Sequence, residues 1–371
     1  MDSTRDDGGL LHRMISDPAF WSPVTPLPGD VRQEILAQVA LGGFGTDLLS
    51  GFGVEASVAC GHSLGQTAML FAQGVWTKRS EMQEKMETGG LFNIWLGGEF
   101  KAARNQWHGG SGPDQPWGAM VVDRSRSEVE EALRQVTSRV YLLLVNADDE
   151  VVIGGDPREL QLLTEQNGWA AVNLSGVTSV HCPLVESVRE EYRSLHEWPV
   201  TNPPGGCKLL CTATGRPLDL TSSSIADSIL QQAIHGFDFP ALIQAMWDNG
   251  TRIFIEPGPG ASCSRLIRKI LGQRNFRTLP LFWRGEDEER SLARLLLSCA
   301  VERVPVDFES CLPEMHWPTP DAPIVEITDG RGPRHIPALP PSMKRWTPMD
   351  HSKSADRSRS RLPQSVQDEE F

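Results

Sequence analysis

The sequence predicts an α/β fold in which a small ferredoxin-like unit is inserted into a larger domain. Short apolar runs alternate with segments of helical periodicity over most of the 371 residues. Within residues 117–180 the predicted order is strand, helix, strand, strand, helix, strand, which is the ferredoxin-like pattern. The flanking stretches, 31–116 and 181–312, are assigned to the main domain.

The main domain begins with a helix and then a strand–turn–helix unit. Residues 1–30 are rich in Asp, Gly and Pro and are expected to be irregular. The following segment, DVRQEILAQVALGGFGTDLLSGFG, has apolar residues at helical spacing and ends in glycines, which predicts a helix. VEASVACGHS predicts a short buried strand and LGQTAMLFAQGVW a helix. Ser63 lies between them in a Gly-x-Ser-x-Gly pattern, the context that this motif requires.

The inserted unit carries clear helix signals. SRSEVEEALRQV predicts a helix capped by Ser125 or Ser127, and PRELQLLTEQNG a helix with Pro157 in its first turn. The strands are predicted in WGAMVVD, in AAVNLSG and in VYLLLVNADDEVVIGGD, which forms a hairpin that turns at Ala-Asp-Asp.

After the insert, the main domain resumes with a turn that carries His181 and then a helix. The later predicted elements are a hairpin-like strand pair (CKLLCTATGRPL), two helices (TSSSIADSILQQAI and FPALIQAMWDNG), a buried strand (TRIFIEPGPG) and two more helices (ASCSRLIRKIL and SLARLLLSCAVERV). Residues 313–371 are rich in proline and then in charge, which predicts a disordered tail.

Composition argues against several function classes. The formal net charge of −13 argues against nucleic-acid binding, which needs a basic surface. No run approaches the roughly 18 apolar residues of a membrane span, and the N-terminus lacks the apolar core of a secretory signal. The seven cysteines include no CxxC pair, so we expect reduced thiols in a cytoplasmic protein and no metal site.

Ser63 and His181 form the candidate catalytic pair. Ser63 is expected near a helix N-terminus, where amides and the helix dipole favour developing negative charge. A nucleophilic serine needs a base, usually histidine. His62 adjoins Ser63, but neighbours on such a turn point apart, so His181 is the better candidate. No acidic residue stands out as a third member, which favours a Ser–His dyad whose imidazole is held by a backbone carbonyl or an amide.

Three stretches in a fixed order now suggest a family: GHSLGQ, NADDEVVIGGD before VTSVHCPL, and FIEPGPGASCSRLI. Together they resemble the malonyl-CoA:acyl-carrier-protein transacylase family, the acyltransferase domains of fatty acid and polyketide synthases. AMLFAQGVW, LFNIWLGGEFKAARNQW, VHCPL and GPGASCSR are similar to the acyltransferases of polyunsaturated fatty acid synthases in particular. The resemblance covers residues 30–312 and implies an α/β-hydrolase-like core with a parallel sheet and a ferredoxin-like insert.

The resemblance also implies a mechanism. Ser63 would attack the thioester of an acyl-CoA while His181 takes its proton, and the backbone N–H of Leu64 would hold the oxyanion. The phosphopantetheine thiol of an acyl carrier protein would then accept the acyl group. The implied partners are the carrier protein and other synthase modules, with no bound cofactor. The implied supporting residues are His62, Gln66, Asn146 and Gln232, although Asn146 is equally well explained as a hairpin-turn residue.

Two departures from the family pattern affect these expectations. Family members begin with a strand ending in Phe-Pro-Gly-Gln-Gly-Ser, whose Gln lines the oxyanion hole, and no such segment precedes Ser63. A first strand and one oxyanion donor are therefore expected to be absent, as in a fragment, a chain completed by a partner or an inactive protein. Malonyl-specific members also carry an Arg where this chain has Trp95, which is therefore assigned to substrate binding. Tryptophan cannot form a bidentate ion pair, so an uncharged acyl group is an alternative to malonyl.

Two other function classes fit the same residues. One is a serine hydrolase, either an acyl-thioesterase or a patatin-like lipase, and the lipase would need a Ser–Asp dyad for which Asp329 is the candidate. The other is a catalytically impaired remnant that keeps the fold as an interaction module. The acyl group and the final product are not determined by the sequence.

Overall fold

A computed structural model describes residues 31–108, 117–135, 139–283, 287–308, 324–328 and 333–337. The chain divides into two compact units, Met1–Phe308 and Glu309–Phe371. The expected irregular segment, 1–30, lies outside the described residues.

Helices are the main secondary structure in the described part of the first unit. In chain order its α-helices are α1 (Val31–Gly51), α2 (Gly65–Ala72), α3 (Arg79–Thr88), α4 (Lys101–His108), α5 (Arg126–Arg134), α6 (Pro157–Asn167), α7 (Arg189–Leu195), α8 (Ser222–His235), α9 (Phe239–Asp248), α10 (Ser262–Leu271) and α11 (Glu288–Val301). A π-helical turn, Leu91–Trp95, and 3-10 turns at Pro183–Val188 and Pro204–Gly206 complete the helical segments. Within the described residues, no helix combines the length and the apolar composition needed to cross a bilayer.

The described strands of the first unit form one four-stranded sheet and two smaller pairs. They are β1 (Val58–Ala59), β2 (Gly118–Val122), β3 (Val140–Ala147), β4 (Glu150–Gly155), β5 (Ala171–Leu174), β6 (Lys208–Leu209), β7 (Ile253–Glu256) and β8 (Arg277–Pro280). The four-stranded sheet has the order β3–β4–β2–β5, and every adjacent pair is antiparallel.

Local sequence signals explain the elements of the four-stranded sheet. Ser125 caps α5 in a capping box with Glu128, and Asp156 caps α6 ahead of Pro157. The β3–β4 hairpin turns at two aspartates, as predicted from the sequence. Apolar side chains from the strands and both helices form a separate core, which includes Val122, Val129, Val151, Ile153 and Leu160. The element order of this region is therefore the predicted βαββαβ order.

The rest of the unit contains two parallel strand pairs, β1–β6 and β7–β8. Among the described residues they are separate pairs, whereas the sequence predicts one parallel sheet. The predicted hairpin over residues 207–218 is shorter than expected. Its first strand, β6, pairs with β1, and a single antiparallel bridge between Leu210 and Pro217 joins its two arms. These differences arise because strand partners distant in sequence are selected by tertiary packing, which local periodicity does not report.

The second unit contains β9 (Ile324–Thr328) and β10 (Pro333–Pro337), which pair antiparallel. This finding differs from the predicted disorder of residues 313–371. Proline and charge dominate the composition of the tail as a whole, but its IVEIT segment contains β-branched residues that favour a strand. The remaining residues of the tail lie outside the described part of the chain.

Candidate active site

Ser63 lies on the tight turn between β1 and α2. Its φ angle of 54° is in the left-handed region, which a residue other than glycine rarely adopts. A Cβ atom on Gly61 would overlap the backbone of Gly65, so this turn requires glycine at position 61. At Gly65 itself, a Cβ atom would meet no atom within 4 Å. Steric contact therefore requires the first glycine of the motif, whereas the space around the second glycine would accommodate a Cβ atom.

His181 lies beside Ser63 although the two are 118 positions apart in the chain. Ser63 Oγ is 2.7 Å from His181 Nε2, and His181 Nδ1 is 2.8 Å from the backbone oxygen of Gln232. Because a carbonyl oxygen only accepts, Nδ1 carries the proton and donates to it. In the neutral imidazole, Nε2 is then free to accept the Ser63 hydroxyl proton. The structure thus brings together the two residues predicted to form a dyad, and a backbone carbonyl holds the His181 ring.

Burial makes His181 a neutral imidazole at ordinary pH. It is 7% exposed, and desolvation lowers its pKa from 6.5 to about 4. The hydrogen bond to the Gln232 carbonyl acts in the opposite direction, with a smaller effect. His181 therefore has the protonation state that a general base needs.

Gln232 approaches Ser63 from α8. Its side-chain Nε2 donates to the Ser63 backbone oxygen at 3.5 Å. Its Oε1 is buried and has no hydrogen-bond partner among the described residues. Gln232 thus supports both members of the pair, one through its backbone and the other through its side chain.

His62 contacts Asn146 and not the Ser63 hydroxyl. Its Nε2 donates to Asn146 Oδ1 at 3.0 Å, and its ring packs edge-on against Phe237 and Phe239 with centroids 4.9 Å apart. Burial lowers the pKa of His62 below 6.5. Asn146 lies in β3, so this contact joins the Ser63 turn to the four-stranded sheet.

Gln66 is fully buried in the first turn of α2. It donates to Ser228 Oγ at 2.6 Å and accepts from the backbone N–H of Thr212 at 3.1 Å. These bonds join α2 to α8 and to the segment after β6. Gln66 holds the helix that follows Ser63 and forms no side-chain hydrogen bond with the Ser63 hydroxyl among the described residues.

Leu64 and Trp95 differ in their relation to the pair. Within the described part of the chain, the backbone N–H of Leu64 has no acceptor, so it is available to an oxyanion. Trp95 is half-buried in the π-helical turn, and Lys101 Nζ lies 5.8 Å from its ring centroid. No hydrogen bond or ring contact among the described residues joins Trp95 to Ser63 or His181. Its segment is tied to the histidine loop through Ser179, whose backbone N–H donates to Leu96 at 2.7 Å.

Two other expectations concern residues or groups apart from this pair. Asp329, the acidic residue that a lipase-type dyad would need, lies outside the described residues. Across the described ranges, no cluster of three or more His, Cys, Asp or Glu side chains has an arrangement that could hold a metal ion.

Comparisons with known proteins point to one kind of domain. No protein-family model matches the chain. It is 23% identical over 293 residues to a polyunsaturated fatty acid synthase protein of Thraustochytrium sp., covering 74% of this chain and 14% of that protein. It is also 23% identical over 313 residues to polyketide synthase GfsA of Streptomyces halstedii, covering 81% of this chain and 4% of that protein. The chain therefore corresponds to a small part of these relatives.

Solved structures agree with the sequence relatives. The acyltransferase domain from the second module of the salinomycin polyketide synthase superposes with a TM-score of 0.66 at 17% identity, covering 84% of this chain and 71% of that one. The malonyl-CoA:acyl carrier protein transacylase of Xanthomonas oryzae gives 0.54 at 21% identity, covering 71% and 80%. The chain has the acyltransferase fold. This agreement confirms the resemblance that the order of the sequence motifs predicts.

Within this acyltransferase fold, the sequence patterns did not predict an ion pair beside the site. Glu150, at the start of β4, accepts two hydrogen bonds of 2.9 Å from Arg265 of α10. These bonds lower the pKa of Glu150 from 4.5 to about 2. In the sequence, only the position of Glu150 at the start of the buried strand EVVIGG indicates that this carboxylate needs a partner. Nothing in the sequence identifies Arg265, on a distant helix, as that partner.

Proposed function

We propose that this chain is an acyltransferase that moves an acyl group from acyl-CoA, through an ester on Ser63, to the phosphopantetheine thiol of an acyl carrier protein. The observation that carries the proposal is the 2.7 Å contact of Ser63 Oγ with a backbone-held His181 in an acyltransferase fold. Its sequence relatives are synthase proteins, and a solved neighbour is a malonyl transacylase in complex with its acyl carrier protein, which supports the choice of partner.

The first half-reaction forms the acyl-serine. The Ser63 hydroxyl proton passes to His181 Nε2 as Oγ bonds to the thioester carbon. The carbonyl oxygen becomes an oxyanion, to which the Leu64 N–H donates a hydrogen bond. When this intermediate collapses, the carbon–sulfur bond breaks and the coenzyme A sulfur takes the proton from His181.

The second half-reaction reverses these roles. The carrier thiol gives its proton to His181 Nε2, and its sulfur attacks the ester carbon. The bond from that carbon to Ser63 Oγ then breaks, and Oγ recovers the proton from His181. One imidazole therefore serves as base and acid in both steps, without net proton uptake.

The acyl group is proposed to lack a free carboxylate. Trp95 occupies the place that the resemblance assigns to a carboxylate-binding Arg, and an indole cannot form that ion pair. We also assign β2–β5 with α5 and α6 to a ferredoxin-like subdomain, and the remainder of the main unit to a hydrolase-like core. The antiparallel order β3–β4–β2–β5 supports the first assignment, and the two parallel pairs support the second.

Intact mass spectrometry tests the proposed function. The chain is incubated with acetyl-, butyryl- and malonyl-CoA, and then with a carrier protein bearing phosphopantetheine. We expect an acyl adduct on Ser63 that moves to the carrier thiol, and no adduct in Ser63→Ala. Ser57→Ala, which removes an exposed hydroxyl one residue before β1, is the matched control and should react normally. An adduct lost only to water would indicate a hydrolase. Absence of any adduct would indicate an inactive interaction module.

A further inference from the structure

A continuous series of polar contacts connects α10 to the residue before Ser63. Arg265 donates from both terminal nitrogens to Glu150, with two bonds of 2.9 Å. Glu150 Oε1 accepts from Asn146 Nδ2 at 3.1 Å, and Asn146 Oδ1 accepts from His62 Nε2 at 3.0 Å. These contacts bring together three regions that are far apart in sequence.

The direction of each hydrogen bond follows from the chemistry of Glu150. Its side chain is only 8% exposed, and its low pKa keeps it a carboxylate, which only accepts hydrogen bonds. Asn146 must therefore present its amide nitrogen to Glu150 and its amide oxygen to His62. His62 in turn must carry its proton on Nε2. The ion pair thus determines the orientation of Asn146 and the tautomer of His62.

The cations that hold Glu150 lie on one helix of the main core. Arg265 is joined there by Lys269, whose ammonium is 3.2 Å from Glu150 and 2.8 Å from Asp149. Both acids belong to the β3–β4 hairpin or its turn. These ion pairs therefore attach the hairpin to α10 at the position where Asn146 faces the nucleophile turn.

His62 connects the β3–β4 hairpin to the Ser63 turn. The two residues are adjacent, and the His62 carbonyl accepts the N–H of Gly65 at 2.8 Å. Its ring is held by a hydrogen bond to Asn146 and by T-shaped contacts with Phe237 and Phe239. Ser63 has a strained positive φ, so its hydroxyl keeps its 2.7 Å contact with His181 only while neighbouring groups hold the turn.

We propose that Arg265, Glu150 and Asn146 are positioning residues that act in series on His62 to hold the Ser63 turn in its reactive geometry. This inference rests on the proposed role of Ser63 as a nucleophile. It assigns a function in the site to two charged residues that touch neither Ser63 nor His181.

Removing the ion pair tests the inference on Ser63 reactivity. Arg265→Ala and Glu150→Gln should slow both fluorophosphonate labelling of Ser63 and single-turnover acylation by about 10- to 100-fold, because small misplacements of reacting groups have effects of this size. The acyl-CoA concentration for half-maximal acylation should stay unchanged. Arg268→Ala is the matched control: it removes the same charge from the same helix, where Arg268 contacts Thr278, and should stay within about twofold of wild type.

Two further measurements separate positioning from a general loss of stability. Arg265→Ala should add nothing to the rate loss of Asn146→Ala, because Arg265 acts only through Asn146. In NMR titrations, the two charge removals should move the His62 pKa in opposite directions. The Glu150 carboxylate raises this pKa and the Arg265 guanidinium lowers it, while both substitutions slow acylation.

Three results would overturn the inference: a normal labelling rate in folded Arg265→Ala, an equal loss in Arg268→Ala, or additive losses with Asn146→Ala. If Glu150→Gln fails to fold, Arg265→Lys gives the same comparison, because lysine keeps the charge without the paired bonds. Fluorophosphonate labelling distinguishes this inference from the proposed function. A wild-type chain that labels but takes no acyl group contradicts the acyltransferase proposal and leaves the effect of Arg265 measurable on labelling.

Discussion

Acylation of Ser63 should persist far below the pH at which an ordinary histidine stops acting as a base. His181 must be neutral to accept the Ser63 proton, and its burial lowers its pKa from 6.5 to about 4. Phe237 contributes to this burial, since its ring packs edge-on against His181 with centroids 5.5 Å apart. Substituting Phe237 by Ala admits water and should raise the His181 pKa toward 6.5.

The size of the effect follows from the fraction of neutral imidazole. For a pKa of 6.5, that fraction falls about 25-fold between pH 7 and pH 5, and for a pKa of 4 it falls by only about 10%. The wild-type acylation rate should therefore be nearly flat over this range. In Phe237→Ala the rate at pH 5 should be several-fold below the rate at pH 7.

The assay is single-turnover formation of the Ser63 adduct from pH 4.5 to 8, with circular dichroism at each pH to confirm that the protein is folded. Phe276→Ala is the control, since Phe276 packs against Phe254 and has no ring contact with His181 among the described residues. A wild-type rate that falls with an apparent pKa near 6.5 would refute the argument from burial. So would equal pH profiles of wild type and Phe237→Ala.

Three further predictions follow from the same structure. Gly61→Ala should destabilise the fold by about 3 kcal/mol, because the added Cβ overlaps the Gly65 backbone. Gly65→Ala, whose Cβ meets no atom within 4 Å, should destabilise it by less than about 1 kcal/mol. Similar urea midpoints for the two variants would contradict this prediction. The free energy of unfolding should fall as the pH drops from 6.5 to 4, because His181 and His196 are buried with pKa values near 4 and the unfolded chain takes up their protons at a higher pH. The loss should reach up to about 3 kcal/mol for each histidine. A urea midpoint that stays constant over this pH range would contradict the prediction. Trp95→Arg should improve acylation by malonyl-CoA relative to acetyl-CoA by about tenfold, and Trp95→Phe should not; an unchanged ratio in Trp95→Arg would separate Trp95 from the acyl pocket.

Local chemistry explains why much of the fold could be predicted. Ser125 and Asp156 are side-chain caps at the starts of α5 and α6, and a cap acts within three residues of its own position. The βαββαβ order followed from such signals together with apolar alternation. The pairing of β9 with β10 was not predicted, because proline and charge dominate the composition of the long tail around the ten residues that pair.

The features of the candidate site also fall into two groups, those that the local sequence predicts and those that depend on tertiary contacts. The strand–turn–helix context of Ser63 and the need for glycine at position 61 are encoded locally, because both depend on backbone sterics within a few residues. The order of the motifs predicted that Ser63 pairs with His181, but the folded chain was needed for three features: their 2.7 Å contact, the identity of Gln232 as the carbonyl that holds the His181 ring, and the pairing of Arg265 with Glu150. Those contacts join residues 51 to 118 positions apart, and their partners are selected by packing and burial, which no local pattern encodes.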